Sequence, residues 1–174
     1  VVIVTGGPFE DVVRRAGLGF HRMFSTEEYE AATKDPDLWR PRRGLRVVLR
    51  LAVSRLEFAY ERLKEVYEPG RTILVGHGLS FVTRLLEEKE HVPAATLHLA
   101  PSVFRSDFEQ PAFAPGRTAS RAPRWVKRAL WWAVDRLLID PTIGGPLNRF
   151  RDKLGLPPVR RIFKHWIHSP QIGR

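Results

Sequence analysis

The chain has 174 residues, 43% hydrophobic and 28% charged, with a formal net charge of +10. This is an ordinary globular composition, long enough for one domain with its own core. The lack of Cys excludes disulfides, thiolate zinc sites and cysteine nucleophiles, and fits a reducing compartment, so a cytoplasmic location is expected.

No apolar run approaches the ~20 residues that span a bilayer. The opening VVIVTGG is too short for a secretory signal and lacks its basic lead-in. It starts inside what reads as a strand and without Met, so a partial domain is expected. The 29 Lys and Arg are spread along the chain. Local clusters fall at 40–46, 121–128 and 159–164, with no Arg/Gly-rich tail and no aromatic RNA-binding signature. Nucleic acid, an anionic membrane surface or an anionic substrate would each be drawn to such a charge, which by itself identifies none of them.

The first element, VVIVT (1–5), is a β-branched run typical of a strand buried on both faces. PFEDVVRRAG follows, with Pro8 early, Glu10 and Asp11 in the first turn and Gly17 just past the end, which marks a short helix. LGFHRM reads as a second strand, and Ser25 with Glu28 forms a capping-box pattern opening the next helix.

Over 44–67, Leu45, Val48, Leu49, Ala52, Leu56, Ala59, Leu63 and Val66 recur at three- and four-residue steps. This predicts one amphipathic helix, stopped by EPGR (68–71). Strand 72–76, a corner at 76–79, helix 80–90 and strand 94–99 then form a parallel crossover unit. Residues 100–122 lack periodicity and read as a long binding loop. Helices are expected at 123–140, 141–156 and 157–166. The pattern is α/β and Rossmann-like, a parallel sheet flanked by helices. It contains neither G-x-G-x-x-G nor a P-loop, and VTGGPFED reads as a tight βα turn.

His77, in VGHGLS, is placed just past a strand, at the edge where α/β folds bind ligands. An imbalance toward function comes from its two glycine neighbours, and a neutral ring there can take or give a proton. His98, in ATLHLAPS, lies near the next strand end, on the face opposite Leu97 and Leu99; ligand contact and a buried structural role are equally open. Ser80 follows His77 by three residues, but GHGLSF is not a G-x-S-x-G elbow. HWIH (165–168) pairs two histidines without a third ligand, so no metal site is expected. Asp35, Asp37, Asp107 and Glu109 lack the context of a catalytic carboxylate pair. In RWVKRALWWAVDRLL, the stripe Trp125, Ala129, Trp132, Ala133 and Leu137 is expected to be core, with Trp131 half-packed. Contact of 121–136 with an anionic membrane surface is the alternative use of this helix.

The segments FEDVVRRAGLGF, HLAPSVFRS and LGLPPVRRIF, in this order and spacing, resemble the N-terminal half of bacterial GT-B glycosyltransferases. The resemblance is to the UDP-glucosyltransferase-like group that glycosylates sterols, macrolides and other lipophilic acceptors, and it runs over essentially all of residues 1–174. It implies a Rossmann-like acceptor-binding domain whose first strand precedes Val1, with a separate C-terminal donor domain for the nucleotide-sugar. The implied reaction is an inverting hexosyl transfer with no cofactor and no metal, the nucleotide-sugar being a co-substrate. The family's usual base would lie upstream of residue 1. His77 stands in the post-strand corner where many relatives have the Asp that orients the base, and it is the catalytic candidate within this chain. His77, Ser80, His98, Ser102, Phe104 and Arg105 would line the acceptor side, and Phe104, Phe108 and Phe113 favour an apolar acceptor. The chain alone would be inactive, and no nucleic-acid partner is expected. The rival readings are a basic membrane- or nucleic-acid-binding module and a non-catalytic scaffold.

Overall fold

The structure is a computed structural model that describes residues 1–40, 43–98 and 122–170. Among the described residues it is a mixed α/β protein with seven α-helices and two separate parallel sheets of two strands each. Strand β1 (Val2–Gly6) pairs with β2 (Gly19–Phe24) around helix α1 (Glu10–Arg15), which follows a 3₁₀ turn at Gly7–Phe9. Pro8 sits in that turn. Gly17, with φ of 71°, takes the left-handed position that ends α1, as its place in the sequence indicates. Helix α2 (Thr26–Thr33) opens with the expected capping box: Ser25 Oγ accepts from Glu28 N–H, and Glu28 returns a carboxylate to Ser25 N–H at 2.8 Å.

The single helix expected over 44–67 is two, α3 (Gly44–Ser54) and α4 (Leu56–Lys64), broken at Arg55 (φ −130°, ψ 31°). The break lets each half face a different neighbour. Helix α3 packs on residues 135–144, and α4 packs on α5 (Phe81–Glu90). A straight helix would carry one stripe past only one of them. Leu49, Leu56 and Leu63 from the expected stripe are buried, whereas Leu45 is exposed.

Strands β3 (Leu74–His77) and β4 (Ala94–Leu97) flank α5 in parallel register, Leu74 opposite Ala94 and His77 opposite Leu97. The inner side of this unit carries the deepest part of the core. Leu85 and Leu86 of α5 are fully buried together with Leu49, Ile143 and Leu147. The outer side of the pair leaves Ile73, Val75 and Leu97 exposed.

The C-terminal helices differ from the sequence expectation. Helix α6 (Arg124–Val134) runs on through a π-helical stretch, Asp135–Gly144, into α7 (Gly145–Lys153) without a break. The stretch contains Pro141. Proline clashes with the carbonyl four residues back in an α-helix, and a wider turn relieves that clash. A left-handed Gly155 (φ 71°) then closes α7, with Leu156 N–H returning to Arg151 O at 2.9 Å.

The helix expected at 157–166 is extended at its start, and only Ile162–Trp166 forms a π-helical turn. Pro157 and Pro158 donate nothing. Asn148 holds Val159 from both sides: its Nδ2 donates to Val159 O at 3.0 Å, and its Oδ1 accepts from Val159 N–H at 2.8 Å. The stripe expected to be core on α6 is turned outward instead. Trp125, Trp132 and Leu137 are exposed, while Lys127 and Asp135 are buried. Trp131 is half-buried, as expected. Among the described residues no helix is long and apolar enough to cross a membrane.

Candidate functional site

The carboxyl ends of β3 and β4 bring three histidines together. His77 is the last residue of β3, and its Nδ1 accepts from Leu79 N–H at 3.3 Å. A neutral imidazole that accepts at Nδ1 carries its proton on Nε2, so His77 presents an N–H donor at the exposed strand end. The glycines around it serve close approach and not positive φ. A Cβ on Gly76 would lie 2.2 Å from Thr83 Oγ1, and one on Gly78 would lie 3.1 Å from His98 Nδ1. The corner therefore rests directly on the His98 ring, and a side chain at 78 would push that ring away.

His98 follows β4, on the side opposite Leu97 as the alternation requires. Its Nε2 lies 3.0 Å from Nδ1 of His168, with ring centroids 4.9 Å apart and planes at 63°. Burial first, and the neighbouring His77 second, hold the His98 pKa below the ordinary histidine value. Two neutral imidazoles joined this way share one proton at the bridge. Of the two outer nitrogens, His98 Nδ1 and His168 Nε2, one is then an N–H and the other a lone pair. His98 Nδ1 is enclosed under the Gly78 corner, so it is not the end of the pair that a substrate would reach.

His168 reaches this position because residues 166–169 run beside β4. Thr96 Oγ1 donates to Ile167 O at 2.9 Å and accepts from Ser169 N–H at 3.0 Å. Ser169 Oγ, itself buried, lies within donating distance, 2.7 Å, of both Glu87 Oε1 and Ala94 O. Behind these contacts is a buried ionic network. Arg84 donates to Trp166 O at 2.8 Å and pairs with Glu87 and with Glu88, the latter at 3.0 Å. Arg151 pairs with Glu88 at 2.8 Å, and Trp166 Nε1 donates to the same carboxylate at 2.5 Å. Burial lowers the Arg84 pKa, an effect that the Glu88 charge opposes. The network clamps α5, α7 and the C-terminal segment into one body, and it fixes where His168 meets His98.

Of the residues expected at the site from sequence, His77, Ser80 and His98 share this corner. Ser80 is the N-cap residue of α5, but its side chain makes no capping bond. Ser102, Phe104 and Arg105 lie outside the described residues, with the 100–122 loop reading, Phe108, Phe113, Asp107, Glu109 and Leu99. Asp35 and Asp37 are structural: Asp35 Oδ1 accepts from Asp37 N–H at 2.8 Å, and Asp37 pairs with Arg40 and Arg43. His165 is exposed, away from the pair that its neighbour His168 makes. His168 and Thr96 are the functional-site residues the sequence does not single out. HWIH marks His168 as one of two histidines, but nothing local joins it to a residue 70 positions earlier. No cluster of three metal-ligating side chains occurs among the described residues.

Comparison of the chain with protein-family models and with curated proteins finds no match.

Proposed function

We propose that this chain is the acceptor-binding half of an inverting glycosyltransferase, a Rossmann-like domain of the GT-B type that moves a sugar from a nucleotide-sugar to a hydroxyl of a lipophilic acceptor. The observation that carries the reading is the His98–His168 pair beside His77 at the carboxyl ends of two parallel strands, the edge at which open α/β folds bind substrates. His168 Nε2 carries the lone pair that takes the acceptor's hydroxyl proton, His98 Nδ1 being enclosed against Gly78. The acceptor oxygen then forms its bond to the anomeric carbon from the face opposite the departing nucleoside diphosphate, which leaves with the electrons of the broken C–O bond. His77, a donor at Nε2, holds the acceptor oxygen. Burial, which lowers the His98 pKa, favours a neutral His98 ring. On this reading the nucleotide-sugar sits mainly on a second domain, and these 174 residues alone turn nothing over.

The test is nucleotide release by the full-length gene product with UDP-glucose and other nucleotide-sugars, against a panel of lipophilic alcohols. Acceptor-dependent release is expected. His98→Ala and His168→Ala should each lower kcat by roughly 10²–10⁴-fold, the range of a removed general base, and the double variant should be no worse than either single one. Turnover with both histidines replaced and kcat unchanged would overturn the assignment of the base. An intact protein with no turnover on any donor would overturn the transferase reading.

A further inference from the structure

Helix α6 is inverted relative to a core helix. Trp125, Trp132 and Leu137 are 72%, 62% and 72% exposed, whereas Lys127, on the same helix, is only 3% exposed. Trp125, Ala129, Trp132 and Arg136 follow at steps of four, three and four, so they occupy one outward face. Leu137 widens it on one side and Arg128 borders it on the other. From 122 to 139 the only acid is Asp135, which is buried, while Arg124, Arg128 and Arg136 are exposed. The helix itself therefore presents aromatic and cationic side chains outward and no exposed carboxylate of its own.

A groove of about 1260 Å³ runs beside it, between the helix and residues 159–164. Arg128, Arg136, Arg160, Arg161 and Lys164 line it, against the acids Asp135 and Asp140, and Trp132 and Arg136 belong to both the groove and the outward face. Among the described residues, the exposed Arg136, Arg160, Arg161 and Lys164 make the groove a place for phosphate groups. An apolar stripe continuous with it asks for hydrocarbon within a few ångströms of those phosphates.

We infer that this face docks on an anionic lipid surface. Tryptophan indoles settle at the headgroup level with Leu137 reaching the acyl boundary, and the groove cations meet lipid phosphates. Nucleic acid would satisfy the groove but leave Trp125 and Leu137 without an apolar partner. A second copy of the chain would bring the same cations face to face. The net charge of +10 adds long-range attraction to a negative membrane. The inference stands apart from the transferase reading, since it requires neither the histidine site nor a donor domain.

The experiment is co-flotation of the 174-residue chain with vesicles of phosphatidylcholine alone and of phosphatidylcholine mixed with phosphatidylglycerol, with tryptophan emission followed in parallel. Binding is expected only to the anionic vesicles, with a blue shift of emission and weakening as salt rises. Trp125→Ser/Trp132→Ser should lower the partition coefficient by about tenfold or more, because both indoles leave the interface. Arg136→Glu, an exposed change that leaves the apolar stripe intact, should lower it by roughly tenfold, as one cation is replaced by an anion. Retained circular dichroism separates lost binding from lost fold. Equal binding to neutral vesicles, binding indifferent to these substitutions, or no binding would overturn the inference. So would tight binding to a DNA or RNA oligonucleotide, or self-association, abolished by the same changes in the absence of lipid binding.

Discussion

The molecule contains two units of the same topology, β1–α1–β2 and β3–α5–β4, each a parallel strand pair joined through a helix. They are built to different depths. Helix α1 has six residues and buries only Val13; its charges pair on the surface, where Glu10 meets Arg14 and Arg22 at 2.9 Å. Helix α5 has ten residues and buries six, among them Arg84 and Glu87. The lesson is that topology does not decide where stability or chemistry resides. A ten-residue helix is long enough to cover both its strands and still reach α7 and the segment at 166–169, so its ionic residues are enclosed and become structural. The six-residue helix packs mainly on its own strands and the preceding turn, and its ionic residues stay in water, where ion pairs contribute little.

The largest effect should come from the buried network. Glu88→Leu removes the carboxylate that faces both Arg84 and Arg151 and leaves the buried Arg151 charge uncompensated, which costs about 3–5 kcal/mol. Urea unfolding should show this loss, and Glu88→Leu/Arg151→Met should lose less than the two single changes added together. If the single change left the unfolding midpoint where it was, the two units would not differ in the way described. Next, Leu86→Ala in the fully buried α5 face should cost about 2–5 kcal/mol, against about 1 kcal/mol for Val13→Ala in α1. Equal losses would remove the contrast in depth.

The third effect is a pH dependence. The folded-state pKa of His98 lies below its unfolded value, because of burial and then His77. Above the ordinary histidine pKa both states are neutral at this position and it contributes no slope. As pH falls through that range, the unfolded chain takes up the proton first, so stability falls. His98→Gln should flatten this acid limb when unfolding is followed between pH 8 and 5, the interval about the ordinary value of 6.5; an unchanged limb would mean that His98 is not enclosed as the corner with Gly78 and His168 requires.

The smallest effect belongs to the outer unit. Glu10 is held below the usual carboxylate range by hydrogen bonds from Arg22 and then Arg14. Even so, Glu10→Gln should leave the thermal midpoint unchanged within error, because the pairs are solvated. A clear drop would show that the outer unit is more enclosed than its short helix implies.

The features legible in the sequence are those set within a few residues. The Ser25–Glu28 cap, Gly17 past the end of α1, the parallel crossover around α5 and His77 at a strand end all follow from neighbouring chain chemistry. Backbone dihedrals and nearby hydrogen-bonding groups act there without help from the rest of the chain. Amphipathic periodicity, by contrast, says that a helix has two faces but not which face meets the core. That ambiguity hid the outward turn of Trp125 and Trp132, and the same limit hid the break at Arg55, where one stripe had to serve two neighbours.

The sequence by itself thus determined the α/β class, the two strand–helix–strand units, the Ser25–Glu28 cap, the Gly17 end of α1 and His77 at a strand end. Only the tertiary structure decided that His98 would meet His168, that Arg84, Glu87, Glu88 and Arg151 would form one enclosed network, and that α6 would point its tryptophans outward. Each of these depends on groups tens of residues apart being brought within about 3 Å, or on competition among all apolar faces for one core, and local propensity encodes neither.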